Sequence, residues 1–217
     1  MSAVSEDADE LLRFGSATVY EASRADVYLD PVFRPAWHGA QAVGTALPVQ
    51  AQAGDNLALH HAIAAAGPGD ILVVDAGGAP FGYWGEVMAV AAQSRGIAGL
   101  VIDGGVRDTD AMAHRGFPAF STCVSIRGTE KHWAGTIGIP ITMRGRVVCR
   151  GDVIVADGDG IAVVPFARYP EVLVAARERA SREESIMGRL RAGESTLDVY
   201  GFRPLGEPIR LNERTNL

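Results

Sequence analysis

The sequence predicts an α/β fold of stacked layers, in which a parallel βαβ half is joined to an antiparallel β half. Two buried apolar runs, at residues 71–74 and 100–102, are each followed by glycines and then by a helical pattern, as in a parallel βαβ unit. Farther along, two β runs at residues 153–156 and 161–164 are joined by the turn formers DGDG. A chain of 217 residues, 47% of them hydrophobic, is long enough for one core of this kind, so we expect a single domain over residues 1–217.

The other elements are predicted in chain order. Within residues 1–30, Ser5 is expected to be the N-cap of a short helix to about residue 13, before a second helical stretch over 16–24. Residues 41–51 are β-rich, and Asp55 is expected to cap a helix over 56–66 that ends at the GPG of residues 67–69. Helices are also expected over 85–95, ended by Gly96, and over 109–115. Within residues 168–217, one long amphipathic helix over 169–191 is expected, and the last dozen or so residues resemble a tail.

Composition excludes several classes of function. The net charge is −6 and no run of Lys or Arg resembles a phosphate-tracking patch, so we expect no nucleic-acid partner. No apolar run approaches the roughly 18 residues of a membrane span, and the acidic start MSAVSEDADE is unlike a signal peptide. Cys123 and Cys149 are too few and too far apart for a zinc knuckle or a disulfide framework. We therefore expect a soluble, cytoplasmic protein with no membrane partner, in which the cysteines are packing residues.

The candidate site lies in two loops, residues 75–85 and 103–108, which follow the two buried runs. Glu86 stands in the first turn of one predicted helix, and after twenty intervening residues Arg107 and Asp108 follow the next strand. Adjacent parallel strands would bring the three side chains together beside free helix amides. A guanidinium can clamp a carboxylate, and Mg²⁺ prefers hard oxygen ligands and retained waters. The pattern therefore indicates a pocket for a small carboxylate next to a divalent cation.

Purely structural roles for the same residues remain open. Asp108 could cap the helix that follows it, Glu86 could be a favourable first-turn charge, and Arg107 could pair with Asp103 or Asp110. Spacing alone does not separate these roles from a binding site.

Other polar residues give weaker signals. His60 and His61 are neighbours on a predicted helix and cannot form an i, i+4 metal pair, so we expect one in the core and one on the surface. Asp157 and Asp159 flank glycines, where a turn explains them better than a metal site. The chain has neither G-x-S-x-G nor a Gly-Lys-Ser/Thr loop, which disfavours covalent catalysis by serine and nucleotide binding.

Three segments carry a resemblance: PGDILVVDAGG, GEVMAVAAQSRGIAGLVIDGGVRD and GDVIVADGDGIAVVP. Together they resemble the family that unites 4-hydroxy-4-methyl-2-oxoglutarate (HMG)/4-carboxy-4-hydroxy-2-oxoadipate aldolases with RraA, the regulator of ribonuclease E activity A. The likeness is strong over about residues 55–165 and looser over the long C-terminal helix and LDVYG. The most specific part of the likeness is a signature in which one acid is followed, after twenty intervening residues, by an adjacent Arg-Asp pair. In this chain these residues are Glu86, Arg107 and Asp108.

The resemblance implies a swivelling β/β/α fold assembled as a homotrimer or homohexamer, with sites at subunit boundaries. It implies that Arg107 holds the pyruvyl carboxylate, that Asp108 binds Mg²⁺ or Mn²⁺, and that Glu86 supports a metal-bound water. The backbone from Gly85, with the amides of Val87 and Met88, would bind the substrate carboxylate.

The resemblance also implies that a glutamate from a neighbouring subunit's C-terminal region assists the site. Glu183, Glu184 and Glu194 are the candidates in this chain.

The implied activity is that of a lyase: class II cleavage of 4-hydroxy-2-oxo acids through a pyruvate enolate, with decarboxylation of oxaloacetate. The family usually has Asp where this chain has Glu86, and its aldolases tend to carry an acid at the position of Ala111, where here only Asp110 is nearby. The absence of an acid at Ala111 favours the simpler reaction, decarboxylation of oxaloacetate. Lys131, the one lysine of the sequence, is expected outside the pocket, which disfavours a Schiff-base route. The alternative function is that of an RraA-type regulator, which binds and inhibits ribonuclease E.

Overall fold

The computed structural model describes residues 3–202, which divide into one compact unit that ends at Ala176 and a second that begins at Arg177. The helices are α1 (Ala3–Glu6), α2 (Ala8–Ser23), α3 (Leu57–Ala65), α4 (Glu86–Gln93), α5 (Thr109–Arg115), α6 (Tyr169–Arg191) and α7 (Thr196–Val199). The strands are β1 (Arg34–Pro35), β2 (Ala42–Gln50), β3 (Asp70–Asp75), β4 (Gly82–Trp84), β5 (Gly99–Val106), β6 (Ala119–Val124), β7 (Thr136–Ile137), β8 (Ile141–Met143), β9 (Arg146–Val148), β10 (Val153–Ala156) and β11 (Ile161–Val164).

The first unit is built on one mixed sheet. Its main path runs β1-β6-β5-β3-β2-β10-β11, with β4 paired to β5 and β7 paired to β2. Strands β6, β5, β3 and β2 are mutually parallel neighbours, whereas β10 is antiparallel to both β2 and β11. The predicted parallel βαβ half and antiparallel β half are both confirmed.

Alternate side chains of the central strands enter two separate cores. Leu72 and Val74 of β3 pack with apolar residues of α3, α4 and α5. Ile71 and Val73 of the same strand pack on the other face, with the two-stranded hairpin β8–β9 and with β10–β11. This period-2 burial gives a helix layer, the main sheet and a second β layer, so the predicted layered α/β fold class is confirmed.

The predicted end of the second buried strand at Ile102 is wrong. Strand β5 continues to Val106, because the unpredicted strand β4 pairs with its last residues, Gly82 with Gly105 and Trp84 with Val106. At Gly105 a Cβ atom would overlap the carbonyl oxygen of Phe81. Glycine therefore permits the close approach of two strands here rather than forming a turn.

The predicted N-cap at Ser5 is also wrong, because α1 begins at Ala3 and includes Ser5. The break between the two expected N-terminal helical stretches is confirmed, because α2 consists of two helical parts separated by Gly15, whose backbone is non-helical with φ 79°. After this break, the Ser16 amide and hydroxyl donate hydrogen bonds to Asp157, at 2.7 and 2.6 Å. The bounds of β10, β11 and α6 match the sequence prediction.

Ion pairs of the second unit join neighbouring turns of its own chain. Arg179 pairs with Glu183 at 2.8 Å, and Ser195 accepts a hydrogen bond from the Asp198 amide at the start of α7. The expected tail falls within residues 203–217, outside the described residues. Between residues 3 and 202, no helix is long and apolar enough to cross a membrane.

Candidate functional site

Strand β4 brings the predicted site residues together. It ends at Trp84, whose carbonyl oxygen accepts a hydrogen bond of 2.8 Å from the Arg107 amide. Gly85 and Glu86 therefore lie beside Arg107 and Asp108, and the Glu86 amide donates to Asp108 Oδ2 at 3.0 Å. The sequence predicted this meeting from β3 and β5 alone, whereas the short strand β4 produces it.

Asp108 does not cap its own helix. It precedes α5 in the left-handed conformation, φ 57°, and makes no side-chain bond to that helix. Its Oδ2 instead satisfies the first amide of α4 and lies 3.8 Å from Arg107 Nε, while Oδ1 has no hydrogen-bond partner among residues 3–202. Asp103 is paired with Arg144, at 3.0 Å, rather than with Arg107. One carboxylate oxygen of Asp108 is thus available to a ligand.

Gly85 is required by this packing. A Cβ atom at Gly85 would overlap Asp108 Oδ2 and would lie 3.0 Å from Arg107 Cγ. The absence of a side chain therefore lets both functional groups approach the start of α4.

The Glu86 carboxylate is held outside the cavity. Arg115 donates two hydrogen bonds to Glu86 Oε1, from Nε at 2.9 Å and from a terminal nitrogen at 2.7 Å. The side chain of Glu86 is consequently directed to the end of α5. Its predicted role with a metal-bound water stays a prediction.

A cavity of about 200 Å³ lies beside the Arg107–Asp108 pair. This volume is below the roughly 300–1,000 Å³ of drug-sized sites, so it suits a small metabolite. Five of the predicted residues line it, and Glu86 does not. The lining residues are Asn56, His60, Tyr83, Gly85, Val87, Met88, Arg107, Asp108 and Lys131.

The prediction that Lys131 lies outside the pocket is wrong. The loop that carries it is fastened to the start of α3, because Asp55 Oδ2 accepts the amides of His132, at 2.5 Å, and Trp133, at 3.2 Å. Burial opposes the ionisation of Asp55, but the hydrogen bonds from Leu57, His132 and Trp133 prevail and hold its pKa below the ordinary value. The contact with His132 joins residues 77 positions apart, and no local pattern signals it.

Asn56, which lines the cavity, has a buried side-chain oxygen without a hydrogen-bond partner among the described residues. The residue is 6% exposed, and its Nδ2 donates to the Tyr83 carbonyl at 2.9 Å, which fixes the amide orientation. Its Oδ1 is buried and has no hydrogen-bond partner in the described part of the chain. A buried acceptor of this kind needs a donor, and a bound ligand can provide one.

The expectation for the adjacent histidines is wrong, because His60 and His61 are both exposed. The buried face of α3 is formed by Ala58, Leu59, Ala62 and Ile63. His60 borders the cavity, where partial loss of hydration, followed by the charge of Lys131, lowers its pKa. The imidazole is therefore neutral at pH 7.

The donor set fits a hydrated hard cation on one carboxylate. Within residues 3–202, no three His, Cys, Asp or Glu side chains converge as a metal cluster. Asp108 alone contributes a carboxylate to the cavity lining. Mg²⁺ usually keeps several waters and needs only one or two protein carboxylates, so Asp108 Oδ1 is a suitable ligand.

Two other features lie apart from this site. A larger cavity of about 330 Å³ between α2 and the β10–β11 turn is mainly apolar and contains none of the predicted site residues. The three candidate glutamates of the C-terminal region are paired within their own unit, as Glu183–Arg179, Glu184–Arg191 and Glu194–Arg189. Their action on a neighbouring subunit stays a prediction.

The fold and the site together define a layered α/β protein with an Arg-Asp pair and a lysine around one small cavity. The chain belongs to the RraA-like family (Aldolase/RraA), whose model matches residues 16–163. A protein of Halalkalibacterium halodurans named "Putative 4-hydroxy-4-methyl-2-oxoglutarate aldolase" is 36% identical over 158 residues, which cover 72% of this chain and 75% of the relative.

Solved structures agree with this assignment. Streptomyces coelicolor RraAS2, described as an unusual member of the RNase ES inhibitor RraA family, has a TM-score of 0.70 at 28% identity, covering 81% of this chain and 94% of that one. An uncharacterized protein of Pseudomonas syringae has a TM-score of 0.75 at 26% identity, covering 88% and 97%.

Proposed function

We propose that the protein is a divalent-metal-dependent carbon-carbon lyase that releases pyruvate from 4-hydroxy-2-oxo acids such as HMG and decarboxylates oxaloacetate. The observation that carries the proposal is the meeting of Arg107, Asp108 and the first turn of α4 at one cavity. The name of the Halalkalibacterium halodurans relative supports the reaction class.

Arg107 and the start of α4 bind the common end of these substrates. The guanidinium forms charge-assisted hydrogen bonds to the C1 carboxylate. The amides of Val87 and Met88 lie in the first turn of α4, have no intrahelical acceptor, and sit at the positive end of the helix dipole. These groups orient the 2-oxo acid before the reaction.

Asp108 would hold an Mg²⁺ or Mn²⁺ ion through its available oxygen. When bound, the ion supplies Lewis-acid stabilisation of the negative charge that develops on the C2 oxygen. Glu86, whose carboxylate is held by Arg115, would support a water on the ion rather than bind the ion itself.

The bonds broken follow from this arrangement. In aldol cleavage the C4 hydroxyl loses its proton, the C3–C4 bond breaks, and the resulting pyruvate enolate takes a proton at C3. In oxaloacetate the C3–C4 bond breaks with release of CO₂, and the same enolate is protonated. Both reactions therefore use Arg107 and Asp108 in the same way.

Lys131 and Asn56 bind the variable end of the substrate. Lys131 forms no ion pair with a described carboxylate, and Asn56 Oδ1 lacks a donor. A carboxylate and a hydroxyl near C4 would satisfy both groups. This end of the cavity therefore favours dicarboxylic 4-hydroxy-2-oxo acids.

The test measures pyruvate release from HMG and from oxaloacetate with Mg²⁺, with Mn²⁺ and with excess EDTA, subtracting the metal-only background. We expect turnover that EDTA abolishes. Because Lys131 lines the cavity, a second arm adds borohydride with pyruvate and examines the protein by mass spectrometry. EDTA-resistant turnover with a reduced pyruvyl adduct on Lys131 would replace the metal route by an imine route.

Assembly as a homotrimer or homohexamer in the cytoplasm is part of the proposal. Cys123 and Cys149 are both free thiols, which is typical of a reducing compartment.

The second candidate function is that of a regulator that binds ribonuclease E, supported by the structural likeness to the Streptomyces coelicolor member of the RNase ES inhibitor family. One scaffold can host both functions. Inhibition of ribonuclease E cleavage by stoichiometric protein, together with no pyruvate release, would favour the regulator.

A further inference from the structure

Glu86 is attached to both ends of α5. Its amide donates to Asp108, the residue before the helix, and its carboxylate accepts both hydrogen bonds from Arg115, the last residue of the helix. The main-chain oxygen of Arg115 also accepts a bond of 3.0 Å from Gln93 at the end of α4. Arg115 thus contacts α4 at its first and last residues.

This contact has little to do with folding stability. The side chains of Arg115 and Glu86 are 42% and 43% exposed, and ion pairs that are so open to water contribute little to the free energy of folding. Two bonds from a planar guanidinium to one oxygen do, however, fix the direction of the glutamate side chain.

That direction matters because Glu86 is next to Asp108. A glutamate arm is long and flexible, and two adjacent carboxylates would tend to share one hard cation. A second protein carboxylate would occupy a coordination position on the cation that a water or the substrate needs. Catalytic metal sites, in contrast, keep a coordination position open. The Glu86 side chain is absent from the cavity lining, in agreement with its attachment to Arg115.

Resting on the proposed function, we propose that Arg115 is a positioning residue that holds Glu86 away from the cation, so that Asp108 is the one carboxylate ligand supplied by this chain. The structural basis is the pair of bonds to Glu86 Oε1, formed by a residue at the far end of the helix that Asp108 precedes. Arg115 thereby keeps exchangeable positions open for the 2-oxo acid.

The test measures Mn²⁺ affinity by electron paramagnetic resonance in the full-length protein without substrate. Arg115→Met should bind Mn²⁺ roughly tenfold more tightly, because the released Glu86 adds a charged ligand. Glu86→Gln in the Arg115→Met background should return the affinity to about the wild-type value. Arg24→Met, which removes an exposed arginine outside the cavity, is the matched control for net charge.

The outcomes separate this inference from the proposed function. Pyruvate release should fall in Arg115→Met while Mn²⁺ binds more tightly, and Arg115→Lys should restore part of the wild-type behaviour. If Arg115→Met tightens Mn²⁺ binding equally with and without Glu86, the effect is Coulombic only and the inference is overturned. Unchanged affinity in Arg115→Met also overturns it while leaving the proposed function intact. A wild-type protein that binds no Mn²⁺ contradicts the proposed function itself.

Discussion

Three charged side chains line the cavity among the described residues. Two of them, Lys131 and Arg107, are cationic, and the third, Asp108, is a carboxylate. Arg107 can bind the carboxylate that every 2-oxo acid has at C1. Lys131 then offers its ammonium group to a second anion, and its backbone is fixed on both sides, by the Glu130 amide to Gly54 at 2.7 Å and by Asp55. Under the proposed function, two cationic side chains at one cavity would suit a substrate with two carboxylates.

We predict that Lys131→Met lowers kcat/KM for HMG roughly 10- to 100-fold, because a charge-assisted hydrogen bond to the second carboxylate is lost. The value for the monocarboxylic 4-hydroxy-2-oxopentanoate should change less than about threefold. Steady-state pyruvate release with Mg²⁺ gives both numbers. His132→Gln, which changes an exposed neighbour on the same loop, is the control. An equal loss of kcat/KM on both substrates would show that Lys131 does not recognise the second carboxylate.

How far the sequence predicts the site depends on the distance between partners along the chain. Arg107 and Asp108 could be found because they are adjacent and follow a recognisable strand. Lys131 and Asn56 could not, because they meet through a loop anchored by Asp55, and neither residue stands in a motif. The direction of Glu86 was equally hidden, since it depends on Arg115.

Elements with a strong local pattern were predicted closely. Strands β10 and β11 match because apolar runs flank a glycine-rich turn, and α6 matches because its pattern is long. Strand β4 was missed because three residues carry no periodicity, and its pairing with β5 also turned an expected loop into strand. Short strands held by tertiary contacts are beyond single-sequence reasoning.

The turn between β10 and β11 is connected to α2 through Asp157. The Asp157 carboxylate accepts the Asp159 amide at 3.0 Å, which confirms the predicted turn role, and it also binds Ser16. Burial of Asp157 opposes its ionisation, but the Ser16 and turn hydrogen bonds prevail and lower its pKa below the ordinary 3.8. Ionised Asp157 therefore stabilises the fold at neutral pH.

We predict that Ser16→Ala lowers the free energy of unfolding by about 1–3 kcal/mol at pH 7, because it removes the hydrogen bond from the hydroxyl to a charged acceptor. The folded pKa lies below the unfolded one, so this stability is fully present above the unfolded pKa, near 4, and is lost as pH falls through the folded value. Urea unfolding between pH 7 and pH 3 should show the difference from wild type shrinking with acid. Ser94→Ala, which loses only a local helix bond, is the control, and a pH-independent difference would show that Ser16 does not act through ionised Asp157.

At the scale of the whole molecule, the layered sheet determines where chemistry is possible. The helix layer and the β8–β9 layer bury both faces of the parallel strands, so the polar groups collect at the strands' carboxyl ends. At this edge, Arg107 and Asp108 follow β5, the start of α4 follows β4, and Lys131 lies in the loop after β6. We therefore expect the metal-dependent cleavage to take place at this one edge of the sheet.

The decisive measurement is Mg²⁺-dependent pyruvate release from HMG by Asp108→Ala beside the wild type. We predict a loss of kcat/KM of roughly a thousandfold, because Lewis-acid stabilisation contributes several kcal/mol to the transition state. Asp110→Ala removes a nearby acid that does not line the cavity and should retain wild-type turnover. An Asp108→Ala protein that is folded and releases pyruvate at the wild-type rate would contradict the assignment of this cavity as the active site.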